Sequence, residues 1–193
     1  MEVKIRIAKK DDAEYLLEIY SYYVANTAVS FEYEVPSVQE FERRICTTLE
    51  NYPYLVAELD GKIAGYAYAS RFGTRAAFDW SIETSIYIGL NYHRLGLGKL
   101  LYEELESILA LQNITNLYAR IADPAEDNDE HLSRDSQHFH EAQGYKLVGK
   151  MNRCGYKFDR WYNLIYMEKT ITEHKQTQAP FIPFKQLQYI PKS

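Results

Sequence analysis

The segment that most constrains this chain runs from Ile86 to Tyr102. Ile86, Tyr87 and Ile88 end a β-like stretch. A basic turn follows, with His93, Arg94, Gly96 and Gly98. Lys99, Leu100, Leu101 and Tyr102 then open a helical pattern. Backbone N–H groups at a helix start, with the positive end of its dipole, attract anionic oxygens. Gly96 and Gly98 allow the backbone to approach a ligand closely. His93, Arg94 and Lys99 add donors and positive charge. The run is neither a P-loop nor a dinucleotide fingerprint. Taken alone, the residues leave two readings open: an anion cradle or a plain turn.

The chain has 193 residues, enough for one domain with a sizeable core. Its 46% hydrophobic and 25% charged content is that of a soluble globular protein. The net charge of -5 argues against a nucleic-acid partner, and the cations near Arg94 stand out against it. No apolar stretch is long enough to span a bilayer, so no membrane role is expected. The residues from Met1 to Arg6 lack the apolar core of a signal peptide. Cys46 and Cys154 have no metal-type spacing and read as unpaired thiols of a reducing compartment. The expected location is the cytoplasm.

Helices and strands alternate along the chain. Val3, Ile5 and Ile7 alternate as in a strand. Asp11 with Glu14 has capping-box spacing before Leu16, Ile19, Tyr20, Tyr23 and Val24. Ser37 with Glu40 repeats it before Phe41, Ile45 and Leu49. Tyr54 to Leu59 and Ile63 to Ser70 flank Asp60 and Gly61, a hairpin signal. Ser81 to Ile88 alternates again, with Glu83 on the face opposite Ile82 and Thr84. A helix follows through Leu101, Leu105, Ile108 and Leu109. Leu117 to Ile121 is a strand. Ser136 to Gln143 is a short helix closed by Gly144. Tyr145 to Val148 and Leu164 to Met167 are the last strands. The pattern predicts an α+β fold, a sheet with helices on its faces. Residues 123–135 carry six acidic side chains and read as an exposed loop. From Thr172 on, Pro180, Pro183 and Pro191 interrupt Phe181, Ile182, Phe184 and Ile190. Such a tail is no regular helix and packs on the domain or on a second subunit.

The order of strand, basic Gly-x-Gly turn and helix resembles the pyrophosphate-binding motif of the GNAT superfamily of N-acetyltransferases. That motif reads Gln/Arg-x-x-Gly-x-Gly/Ala. Here it is His93-Arg94-Leu95-Gly96-Leu97-Gly98, with His93 in the Gln/Arg place and Arg94 directly after it. Further segments are similar to the phosphinothricin and methionine sulfoximine N-acetyltransferase branch. They are Ile19 to Val24 with Asn26, Thr27 and Ser30-Phe31-Glu32; Tyr52 to Glu58; Gly65 to Ala69; Arg75 to Glu83; His140 to Tyr145; and Gly155-Tyr156-Lys157 with Trp161. The resemblance spans residues 3–170. It implies a GNAT-type mixed, mostly antiparallel sheet over residues 1–171, with 172–193 as the tail. It also implies acetyl-CoA as co-substrate, no metal, a homodimer, and a small amino-acid-like amine as acceptor.

Acetyl transfer to an amine needs a base, donors at the carbonyl oxygen and a proton for the leaving thiolate. The resemblance implies Glu83 as base, against the competing reading of a cross-strand hydrogen bond. It links His140 to catalysis and places Tyr145 near the CoA sulfur, where a core aromatic is the alternative. The unperturbed titration range of His140 suits proton transfer near neutrality. Ile86, Tyr87 and Ile88 are expected along the pantetheine arm, and His93, Arg94, Leu95, Gly96, Leu97, Gly98 and Lys99 at the pyrophosphate. Arg75 and Lys157 are the expected grips for a substrate carboxylate. Phe31 and Trp80 are expected to wall the acceptor. The branch has Asn-Asp-Pro-Ser before its His-bearing helix; this chain has Ser133-Arg134-Asp135-Ser136, so Ser133 or Ser136 stands in for the Asn. The acidic run from Glu126 to Glu130 suits a cationic acceptor. Protein or polyamine acetylation, or a non-catalytic acyl-CoA sensor, are the alternatives.

Overall fold

Two compact units make up the chain: residues up to 19, 36–117 and from 170 on form the first; 20–35 and 118–169 form the second. The computed structural model describes residues 2–187 and residue 189. Ile190 and Pro191 of the expected tail, and Met1, lie outside the described residues.

In the first unit the alternation of Val3, Ile5 and Ile7 becomes β1 (Val3–Ile7). It pairs antiparallel with β2 (Tyr54–Leu59), β2 with β3 (Lys62–Arg71), and β3 with β4 (Ser81–Ile88). The β2–β3 turn has φ 49° at Asp60 and 77° at Gly61, the two left-handed residues of a type I′ hairpin. In the second unit the order is β5 (Asn116–Pro124), β7 (Arg160–Thr170), β6 (Lys146–Lys157). Among the described residues the α-helices are α1 (Ala13–Asn26), α2 (Val38–Asn51), α3 (Leu97–Leu111) and α4 (Asp135–Ala142).

Each helix start has an identifiable cause. Ser37 Oγ accepts from the Glu40 N–H at 3.1 Å ahead of α2, the expected cap. Ahead of α1 the expected Asp11 cap is not seen; a 3₁₀ turn (Lys10–Asp12) leads into the helix, and Asp12 reaches back to accept from the Lys9 N–H at 2.7 Å. Asp12 is also held by Arg6 at 2.7 Å, a long-range partner that local spacing does not reveal. The core of the first unit is α3 on the sheet. Leu97, Leu101, Tyr102, Leu105, Ile108 and Leu109 are buried at helical period. Ile82 and Thr84 are buried on β4, and the Tyr102 hydroxyl is hydrogen-bonded with Thr84. The half-exposed positions Glu83, Ser85 and Tyr87 alternate with them. Burying each Leu of this set contributes roughly 1.5–3 kcal/mol.

β6 and β7 are far longer than the expected Tyr145–Val148 and Leu164–Met167. Residues 146–154 are exposed throughout, so no alternation marks the strand; only its ladder with β7 defines it. The tail beyond Thr170 packs on the first unit. Ile182 N–H donates to the Gln112 carbonyl at 3.2 Å. The buried Gln112 amide answers to Ile182 O and Asn51 O, at 2.7 Å each. Asn113 holds the Pro180 carbonyl at 2.7 Å, Phe181 packs on Tyr52, and Phe184 is buried.

Candidate active site

The basic turn is built as an anion cradle. After β4 a short 3₁₀ turn (Leu90–Tyr92) leads to His93. Arg94 and Gly96 then adopt φ 62° and 81°, curling the chain into the start of α3. Gly96 is the N-cap and has no side chain to offer, so no side chain caps the first N–H groups. A Cβ on Gly96 would meet open space, so its glycine is required by the left-handed φ alone. The first turn of α3 holds no acidic residue, whereas α1, α2 and α4 carry Glu14, Glu40 and Asp135 there. Arg94 and Lys99 are exposed beside it, and Lys99 has only the distant Glu103 at 3.7 Å. Uncapped N–H groups, no competing carboxylate and two exposed cations fit a pyrophosphate. His93 braces the turn: its Nε2–H donates to the Ile88 carbonyl at 3.0 Å, and a carbonyl can only accept. The Ile88 side chain packs with Leu59, Ala64 and Leu97. Ile86 and Tyr87 lie opposite Ala67 and Tyr66.

Glu83 is half-buried on β4, directly opposite Ser70 of β3. Ser85 and Tyr87 share its face. Arg75 is exposed just before the 3₁₀ turn at Ala76–Phe78. Trp80 is held at both ends. Its Nε1–H donates to the Ala179 carbonyl at 2.7 Å, and its own carbonyl accepts from the N–H groups of Thr115 and Asn116.

In the second unit His140 and Tyr145 meet edge to face, ring centroids 5.1 Å apart. Both are buried. His140 Nδ1–H donates to the Ser136 carbonyl at 2.7 Å, which fixes the tautomer and leaves Nε2 as the acceptor. Burial pushes its titration down to about 4, against a smaller opposing effect of the Ser136 hydrogen bond. The expected titration near neutrality is therefore corrected: desolvation keeps the ring neutral. Ser133 Oγ accepts from the Asp135 N–H at 3.3 Å, closing a turn before α4. Ser136 is half-buried in its first turn.

Lys157 departs from expectation. It is only 3% exposed. Its ammonium donates to the carbonyls of Val24, Thr27 and Ser30 at 2.7, 2.9 and 2.7 Å. Three N–H donors are thus spent on backbone, and none remains for a substrate carboxylate. Phe31 packs beside Tyr162, with ring centroids 6.3 Å apart.

The acidic loop also departs from expectation. Asp127 pairs with Arg134 at 2.9 Å, and Asp129 and Glu130 pair with Arg160 at 3.1 and 2.9 Å. Buried Asp123 receives Lys150 at 2.6 Å, Arg134 at 3.3 Å and Asn163 at 3.1 Å. Burial pushes the Asp123 carboxyl up, but these donors outweigh it and hold it below the usual carboxylate range. Arg134 and Arg160 thus face Asp127, Asp129 and Glu130, and this pairing weakens the case for a cationic acceptor. Asp123, expected at the start of an exposed loop, is instead buried near the end of β5, and its partners lie 11–40 residues away, beyond what local pattern reveals. Among the described residues no group of three or more His, Cys, Asp or Glu is placed to hold a metal, and no helix is long and apolar enough to cross a membrane.

Comparison with known proteins adds an independent line. The model of the acetyltransferase (GNAT) domain matches residues 5–166. A phosphinothricin N-acetyltransferase of Streptomyces viridochromogenes is 33% identical over 167 residues, 86% of this chain and 87% of that protein. An L-amino acid N-acyltransferase of Escherichia coli is 28% identical, over 92% of this chain and 99% of its own. A phosphinothricin acetyltransferase of Sinorhizobium meliloti, solved in complex with acetyl-CoA, superposes with a TM-score of 0.82 at 30% identity. That match covers 95% of this chain and 99% of the other.

Proposed function

This chain belongs to the GNAT acetyltransferase family, in its phosphinothricin and methionine sulfoximine branch, and from that premise we propose that its acceptor is a small amino-acid-like primary amine bearing a carboxylate. The activity itself is acetyl-CoA-dependent N-acetyl transfer. The observation that carries the reading is the uncapped, acid-free start of α3 between Arg94 and Lys99. Residues 93–99 hold the pyrophosphate through N–H groups and local charge. The β4 backbone at Ile86 to Ile88 takes the arm leading to the thioester. Acetyl-CoA, when bound, supplies an activated acetyl group.

The chain's own residues manage protons and orientation. An amine attacks only when its nitrogen is neutral, so a base must take the proton it sheds. Glu83 fills that role, directly or through one water. His140 is neutral with Nδ1–H tied to Ser136, so Nε2 is oriented to accept rather than donate. Tyr145 supplies a proton to the departing thiolate. Ser133 and Ser136 stand in for the branch's Asn at the cofactor. Phe31 and Trp80 wall the acceptor. With Lys157 engaged by backbone, the carboxylate grip falls to Arg75. The polyamine alternative is weakened because Asp127, Asp129 and Glu130 already face Arg134 and Arg160 within their own unit. The branch resemblance also supports a homodimer, which sedimentation velocity checks.

The test compares specificity constants for matched acceptors, a free amino acid and the same amine without its carboxylate. Wild type should favour the amino acid. Arg75→Ala should erase most of that preference, a loss of about 1 kcal/mol for an ion pair made by an exposed side chain. A wild-type preference for the carboxylate-free amine would overturn the amino-acid reading. Equal losses on both acceptors would make Arg75 structural.

A further inference from the structure

Three consecutive residues at the end of β6 each hold a different residue of the loop that follows α1. Gly155 provides room: a Cβ there would collide with the Phe31 ring. That ring packs against Ala28, Ala122, Leu132 and Tyr162. The Tyr156 carbonyl accepts the Tyr33 hydroxyl. The Lys157 ammonium gathers the carbonyls of Val24, Thr27 and Ser30. Val24 lies in the last turn of α1, where carbonyls lack helical partners and carry partial negative charge. Ser30 is pinned again by the Tyr20 hydroxyl at 2.8 Å, and its Oγ accepts from the Glu32 N–H at 3.2 Å.

We propose that Gly155, Tyr156 and Lys157 form a positioning clamp that fixes Phe31 and thereby sets acceptor selectivity. This rests on the reading of Phe31 as an acceptor wall. The segment between α1 and α2 has no regular secondary structure, so its order must come from side chains. A buried ammonium serves well: its three donors satisfy three carbonyls that point inward as the chain reverses. The cation acts on the loop and does not touch substrate. The absent Cβ of Gly155 then seats the ring at one depth, so the aromatic surface is pre-organised before an acceptor arrives.

Lys157→Met keeps the length of the side chain and removes the ammonium. Hydrogen exchange of the amides in residues 24–33 should accelerate tenfold or more, on the order expected for losing a local anchor. The KM for the acceptor should rise by about tenfold, as misplacement of a positioning group does, while the KM for acetyl-CoA stays unchanged. Tyr33→Phe removes one exposed hydroxyl and should move both readouts the same way by less. It carries the test if Lys157→Met does not fold. Unchanged exchange in residues 24–33 overturns the clamp whatever the acceptor results. Equal rises in both KM values also overturn it, because they mark a general structural loss. If Phe31→Ala leaves the acceptor KM unchanged, the wall reading fails instead, and selectivity is no longer assigned to the clamp.

Discussion

Burial decides what His140 can do. Its ring lies between Phe139 and Tyr145, edge to face with both, and desolvation holds its titration at about 4. In the unfolded chain the same ring titrates near the ordinary histidine value of 6.5. Between those values the unfolded state binds more protons. This contribution to stability is therefore fully present above about 6.5 and lost as pH falls toward 4. The gap corresponds to about 3 kcal/mol at most. His140→Gln should flatten the fall in Tm between pH 6.5 and 4 relative to wild type; parallel curves would assign that fall to other groups. Glu83 makes a separate case. Glu83→Gln keeps the shape and should lower turnover by about 10²–10⁴ with acetyl-CoA binding intact. A loss confined to acceptor KM would leave Glu83 a positioning residue. The candidacy of Glu83 rests on the branch resemblance; strand alternation fixed only its face, opposite Ile82 and Thr84. The state of His140 was not legible in the sequence, because burial depends on Tyr145 and the rest of its unit.

At the scale of elements, α3 and its turn are the proposed cradle for the cofactor. Gly98→Asp puts a carboxylate into the helix start that the fold keeps free of acids. Acetyl-CoA affinity should fall by tenfold or more, about 1.4 kcal/mol, read by calorimetry with the circular dichroism spectrum unchanged. Full affinity would remove the cradle from the site. Arg94 is the other informative position, a non-glycine residue at φ 62°. Arg94→Gly should relieve left-handed strain of about 1 kcal/mol while removing a charge. Tm should then rise or hold as acetyl-CoA affinity drops. The turn was readable because glycines, cations and the helix start lie within one short run. β6 was not readable. Its residues are exposed on both faces, so hydrophobic alternation says nothing about them, and two register shifts against β7 break any regular spacing. The second of these carries Arg153 at φ 49°, its N–H held by Asn163 Oδ1 at 2.9 Å.

Across the whole molecule, the tail is tied to the first unit through buried Gln112. Gln112→Ala leaves the Asn51 and Ile182 carbonyls without this donor, at a cost of about 1–3 kcal/mol for each group left buried and unsatisfied. Urea unfolding should show the lower midpoint, and protease should cut the tail sooner. No change in either would mean that the tail's other contacts, among them Phe181 on Tyr52 and Asn113 with the Pro180 carbonyl, anchor it without this amide. The sequence by itself determined the α+β class, the hairpin at Asp60-Gly61, the basic turn and helix start from His93 to Lys99 and the family. All of these are written in contiguous residues whose period, turn chemistry or motif is local. Tertiary structure decided the rest. Lys157 reaches carbonyls 127–133 residues away, Arg160 pairs with Asp129 and Glu130 from 31 and 30 residues off, and Trp80 meets Ala179 across 99. A charged side chain's role depends on the partner that folding brings to it, and no local pattern in the chain names that partner.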